Sequence, residues 1–336
     1  MRALDFCHQS VWDELPSDVQ HAARRCLLDL LGVAASGSTT ALSHLIRRHA
    51  LAHFAAPSTA PSARLLVDGR RASAAGAALA GGMTIDSVDA HDGYNPAKGH
   101  AGCGVLPAWL ALLDSTGDPT ESEFMVGLVV GYELACRTAT ALHASAPDYH
   151  TSGAWVSVAA AALGARALGL NREQSRHAIG IAEYHGPRSQ MMRCIDHPTM
   201  LKDGSGWGAM AGVSAAFLAA DGFSGAPALT VESPEVAGHW ADLGSCWRIT
   251  EQYFKPYPVC RWAQPGISAA LALRAQHGIE VDDIAAVRIH TFHESARLHT
   301  AAPTNTEQAQ YSLPFPVAVA LVHGRVGVEH IDGQGL

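Results

Sequence analysis

Seven stretches of apolar residues recur along this chain at the spacing of a helical face, and they are unusually rich in Ala and Gly. Between Ser17 and Val33 the positions Val19, Ala22, Ala23, Cys26, Leu27, Leu30 and Leu31 form one stripe, with Pro16 ahead and Gly37 behind as breakers. Comparable stripes run at about 40–54, 71–84, 104–115, 121–143, 153–168 and 205–220. Small residues let helix axes approach closely, so the pattern predicts a packed multi-helix domain and not an α/β sheet. The one early strand it predicts is Ala63–Val67, turned by Asp68-Gly69.

The texture changes after about residue 240. Trp247-Arg-Ile-Thr alternates as a strand does, Lys255-Pro-Tyr-Pro breaks the chain, Ile267–Gln276 is helical, and Val287, Ile289 and Thr291 alternate again. We therefore expect an all-helical domain over 1–240 and a smaller α+β domain over 241–336. Apolar residues are 48% of the 336 and charged ones 16%, which suits a large buried core. The net charge of −8, with no basic run, argues against nucleic acid as a partner. Seven widely spaced cysteines without a CxxC suit reduced thiols in a cytoplasm, not a disulfide framework or a cysteine zinc site. The N-terminus lacks the pattern of a signal peptide and no run of 18 apolar residues follows, so a membrane is not expected as a partner either.

Phosphate-loop, zincin and serine-hydrolase motifs are absent. Gly204-Ser-Gly206-Trp-Gly-Ala209 fits GxGxxA formally, but no buried strand precedes it, so a dinucleotide site is not predicted. Four segments carry chemistry instead. The densest is Asp86-Ser-Val-Asp89-Ala-His91-Asp92-Gly-Tyr94-Asn-Pro-Ala-Lys98-Gly-His100, a connection between two apolar helices, where sites are commonly built. It reads as a catalytic cluster, as a metal site or as a polar loop capped by Asp86 and Asp92. Asp148-Tyr-His150 precedes the helix beginning near Ala154, whose dipole would favour a neutral imidazole. Arg188 to Arg193 and then Lys202-Asp-Gly lead into the helix near 205, where a lysine beside free N–H groups suits a carboxylate. Lys255-Pro-Tyr-Pro-Val-Cys-Arg261 presents two cations on a stiff backbone.

Together with Asp13-Glu-Leu-Pro16, His100-Ala-Gly-Cys-Gly-Val-Leu-Pro107 and Gln310-Tyr-Ser-Leu-Pro-Phe315-Pro, these segments resemble the MmgE/PrpD family, which includes 2-methylcitrate dehydratases, cis-aconitate decarboxylases and iminodisuccinate epimerases. The resemblance implies a mainly α fold: a large all-helical domain plus a smaller α+β lid, in a homodimer, with no metal and no organic cofactor. It implies that Asp86, His100, His150, Lys202 and Lys255 are active-site residues. Phe315 stands where decarboxylase-like members carry Tyr, Gln264 where many relatives have His, and the Asp86–His100 loop is longer than in decarboxylases. The chain also stops about a hundred residues before its relatives do, so it is expected to be C-terminally truncated.

The implied chemistry is that of a cofactor-independent lyase acting on a small di- or tricarboxylic acid, 2-methylcitrate dehydratase-like, with cis-aconitate decarboxylation or epimerisation as alternatives. The expected catalytic set is His100, His150, Asp86, Asp89 and Lys202. His100 and His150 would serve as base and acid, with Asp86 or Asp89 orienting one imidazole. Lys255, Arg261, His91, Lys98 and Arg188 would bind the substrate, its carboxylates being neutralised chiefly by Lys202, Lys255 and Arg261. The rivals are a metal-dependent hydrolase using Asp86, Asp89, His91 and His100, and a truncated relative that folds without catalysing anything.

Overall fold

A computed structural model describes residues 2–57, 59–333 and 336. The chain divides into two compact units. The first comprises Met1–Ser87, His91–Met191 and Asp203–Tyr253; the second comprises Val88–Ala90, Met192–Lys202 and Phe254–Leu336. The fold is mainly helical, with two small two-stranded sheets among the described residues.

In chain order the helices are α1 (Arg2–Gln9), α2 (Ser17–Gly37), α3 (Ala41–His53), α4 (Ala74–Asp86), α5 (Gly102–Thr116), α6 (Glu121–Ser145), α7 (Gly153–Ala167), α8 (Arg172–His185), α9 (Met191–Asp196), α10 (Ser205–Ala220), α11 (Leu229–Glu232), α12 (Gln264–His277), α13 (His293–Ala296), α14 (Thr306–Gln310) and α15 (Pro314–His323). Side-chain oxygens stop several of them from fraying. Thr40, Ser73 and Thr120 each accept an N–H from the first turn of α3, α4 and α6, and Asn171 with Gln174 closes a capping box on α8.

In the first unit α10 lies against α4, α7 and α8, and α5 fills the space beside α4 and α7. The Ala and Gly content explains how. A Cβ on Gly208 of α10 would stand 2.3 Å from the carbonyl oxygen of Gly153 in α7, so these two backbones pack with nothing between them. Trp109 and Trp155 supply the bulk in the remaining core and are fully buried. Helix α6 alone is long and apolar enough to cross a membrane among single described helices, but 94% of its apolar window is buried inside the fold. It is a core helix. Its Glu133 and Arg137 are sealed in the core as an ion pair (3.3 Å).

That pair explains one departure from the sequence pattern. Trp247-Arg-Ile-Thr alternates like a strand, yet Arg248–Glu251 is a 3₁₀ turn. Arg137 donates to the carbonyls of His239 and Cys246 (2.8 Å each), and Glu133 accepts the Ile249 N–H (3.0 Å), so buried charges on α6 wrap this segment round their own hydrogen-bonding needs. Of the strand expected at 63–67 only 63–64 lie in β1 (Ser62–Arg64), antiparallel to β2 (Arg71–Ser73), and 66–68 already turn. A second ladder pairs β3 (Gly93–Tyr94) with β4 (Gln252–Tyr253).

In the second unit α12 packs on α15, and Arg297 holds Asp196 (2.9 Å). The helix expected at Ile267–Gln276 lies within α12. The alternation at Val287, Ile289 and Thr291 does not become a strand: among the described residues it pairs in no ladder.

Candidate active site

Asp86 is the last residue of α4, and its burial (1% exposed) follows from that helix having apolar neighbours on all sides. The chain then runs through the polar loop and returns into α5, which brings His91 and His100 back over the end of α4. His91 Nε2 lies 3.3 Å from Asp86 Oδ1, and the His91 and His100 rings meet edge to face with centroids 4.5 Å apart. The second carboxylate oxygen of Asp86 is buried without a hydrogen-bond partner. A polar atom left so is expensive in a core and common where a reacting group is to be received.

His100 is oriented at two points. Its Nδ1 is 2.6 Å from the backbone carbonyl of Asp92, and a carbonyl can only accept, so Nδ1 carries the hydrogen and the basic lone pair of the neutral ring sits on Nε2. Its backbone N–H donates to Ser152 Oγ (2.9 Å). Ser152 in turn donates its hydroxyl and its N–H (2.9 Å) to the two carboxylate oxygens of Asp203. Burial, and then the charge of Asp86, raise Asp203 above the ordinary carboxylate range. The β3–β4 ladder sets Tyr253 edge-on to His100, centroids 6.4 Å apart.

His150 lies in the same unit, two residues before the Ser152 that accepts the His100 N–H. Its backbone N–H donates to Nε2 of His143 (3.3 Å), and its Nδ1 is buried without a partner. Its imidazole is pushed down, first by burial and then by the charge of Arg188. Helix α7 begins three residues later at Gly153. His143 is pushed down further, to about 4, by burial and the neighbouring His150. Lys98 places its ammonium 5.6 Å over the Tyr149 ring, and the Tyr149 hydroxyl donates to the Lys98 carbonyl. Lys98 and Arg188 are exposed.

The second unit holds the remaining candidates. Lys255 Nζ pairs with the Asp89 carboxylate and also donates to its carbonyl (3.1 Å), with both side chains buried. Lys202 donates to Gln310 Oε1 and lies 5.3 Å from the Tyr311 ring centroid. Arg261 is half-buried at the start of a 3₁₀ turn. Gln264 donates to the carbonyls of Tyr257 (2.8 Å) and Val259 (2.9 Å), pinning the Pro-Tyr-Pro segment in place. Phe315 stands in the first turn of α15.

Among the candidates, Asp86 contacts His91, whose ring meets His100; the charge of Arg188 acts on His150; Asp89 pairs with Lys255; and Lys202 bonds to Gln310. Lys98 (φ 49°) and Lys202 (φ 51°) are two of three non-glycine residues in the left-handed region among those described, a strain tolerated mainly where a position is over-determined. Sequence reasoning missed His143, Ser152 and Asp203. The last two border named candidates, His150-Thr-Ser152 and Lys202-Asp203, but their joint role depends on a contact fifty-one residues apart in sequence.

Models of the MmgE/PrpD N-terminal and C-terminal domains match residues 2–241 and 257–336. The chain is also similar to the cis-aconitate decarboxylase-like protein oryM of Aspergillus oryzae (strain ATCC 42149 / RIB 40), 28% identical over 233 residues. That match covers 63% of this chain and 45% of the fungal protein, so the chain spans about half the length of that relative.

Proposed function

Since this chain belongs to the MmgE/PrpD family, we propose that it is a cofactor-independent lyase that moves a proton at the carbon beside a carboxylate of a small di- or tricarboxylic acid, as a 2-methylcitrate dehydratase does. The observation that carries the reading is the 2.6 Å bond from His100 Nδ1 to the Asp92 carbonyl. It leaves Nε2 as the lone-pair atom of a ring sited beside His91 and Asp86, so that atom is the one able to accept a proton. The neutral His150 ring, kept so by burial and Arg188, supplies a second group for proton transfer. The substrate's carboxylates resist loss of a neighbouring proton unless their charge is matched, and this role is assigned to Lys202, Lys255 and Arg261, with His91, Lys98 and Arg188 as further binding groups.

The name of the fungal relative favours a second reading, decarboxylation of cis-aconitate. Against it stands Phe315 at the place where decarboxylase-like members carry Tyr.

The test is deuterium incorporation from heavy water into methylcitrate, citrate, cis-aconitate and iminodisuccinate, followed by proton NMR, because C–H exchange reports the shared step before any product is assumed. Exchange into methylcitrate without loss of carbon dioxide supports dehydratase chemistry, and carbon dioxide release from cis-aconitate selects the second reading. Stoichiometric zinc or manganese with activity lost to a chelator, or a folded protein that exchanges none of the four, would defeat both.

A further inference from the structure

We infer that Tyr132 is a positioning residue for His100, acting through Asp92 to hold the imidazole in its Nε2-basic form. The inference rests on His100 being the base proposed above. A backbone carbonyl fixes a ring only as firmly as its own peptide is fixed, and Asp92 lies in a loop. Two attachments tie that loop to the core, and a third bond passes the restraint on to the ring. The Asp92 N–H donates to Asp29 Oδ2 on α2 (2.9 Å). Its carboxylate accepts the Tyr132 hydroxyl from α6. Its carbonyl then receives His100 Nδ1.

The arrangement is costly to the fold. Asp92 and Tyr132 are both fully buried, and burial pushes the Asp92 carboxyl up to about 7 and the Tyr132 hydroxyl well above its usual range. An apolar pair of the same volume would fill the space without desolvating either group. The chain has also given up a side chain to admit the contact: a Cβ on Gly102 would lie 2.1 Å from Tyr132 Oη and 2.8 Å from Asp92 Oδ1. Gly102 opens α5 only two residues beyond His100. A pair that served packing alone has no reason to fall on the one residue whose carbonyl receives the His100 Nδ1.

The experiment uses the full chain with ¹⁵N-labelled histidine, whose ring nitrogen shifts distinguish the two neutral tautomers without any need for activity. In the unsubstituted protein His100 should carry its hydrogen on Nδ1 alone; a ring protonated on Nε2 overturns the inference whatever the variants do. Tyr132→Phe should give a mixture of tautomers, lower the turnover of C–H exchange by about 10- to 100-fold, as loss of an outer partner commonly does, and leave KM within about twofold. Asp92→Asn keeps an acceptor for Tyr132 and should retain the single tautomer. A folded Tyr132→Phe protein with an unchanged tautomer and an unchanged pH–rate profile reduces Tyr132 to packing and sinks the inference. Absence of exchange in the unsubstituted protein defeats the base assignment while leaving the tautomer measurement to stand or fall separately.

Discussion

The rings of His143 and His150 lie nearly parallel, 13° apart with centroids at 6.4 Å, and the backbone of one feeds a hydrogen bond into the other. His143 Nε2 is the acceptor in that bond, which requires its lone pair and therefore a ring that is not doubly protonated. Burial supplies the same bias, pushing the ring down to about 4.

This has a signed consequence for stability. A histidine freed by unfolding takes up a proton near pH 6.5, whereas folded His143 does not until about pH 4, so its contribution is complete above about pH 6.5 and is lost as pH falls towards 4. His143→Gln should retain much of the packing and remove that dependence. Urea unfolding at pH 7 and pH 5 is expected to show a smaller drop for the variant than for the unsubstituted protein. An equal drop in both would mean that His143 titrates normally in the fold.

Replacing His100 by Ala should reduce C–H exchange by about 10²–10⁴-fold, the usual contribution of a positioned acid or base. The loss should fall on turnover, because His100 is assigned to proton transfer and not to holding a carboxylate. Retention of nearly full exchange by a folded His100→Ala protein would remove His100 from the chemistry. The control is circular dichroism, since His100 is buried and its backbone is tied to Ser152.

The helices were legible in the sequence where burial was periodic. The stripe at 17–33 lies within Ser17–Gly37 and that at 121–143 within Glu121–Ser145. Alternation failed at Trp247–Thr250 because local pattern cannot see Glu133 and Arg137, more than a hundred residues away, which recruit that backbone. The same limit applies to the site. Asp86, His91 and His100 were visible as a group because one loop carries them. Tyr132 and Asp203 were not, because each reads as an ordinary helix or turn residue until folding brings it to Asp92 or Ser152.

Asp92 provides a pH effect opposite in sign to that of His143. Its folded value is raised to about 7, so the folded state keeps a proton that the unfolded chain releases near pH 4. The stability it contributes is present below that point and declines as pH rises to about 7, by at most about 1.4 kcal/mol per pH unit. Asp92→Asn cannot titrate and should flatten this decline while leaving the region above pH 7.5 unaffected in slope. Guanidinium unfolding at half-unit intervals from pH 5 to 8 gives the two slopes directly, and identical slopes would show that Asp92 is ionised throughout.

The buried pair of Lys255 and Asp89 makes a prediction that needs no substrate. Lys255 has no exposed side-chain surface and Asp89 4%, so the two charges are paired with each other away from water. Removing one partner leaves an uncompensated charge in a low-dielectric setting, and either Lys255→Met or Asp89→Asn should destabilise the fold by about 3–5 kcal/mol. The double variant removes both charges of this pair. It should therefore recover most of that loss, giving a coupling energy on the order of 2 kcal/mol or more in a double-mutant cycle of urea unfolding. Additive losses would mean that water reaches the pair. If the double variant is stable but binds none of the four acids, as judged by line broadening in their proton spectra, then Lys255 is retained for the ligand and Asp89 for the lysine.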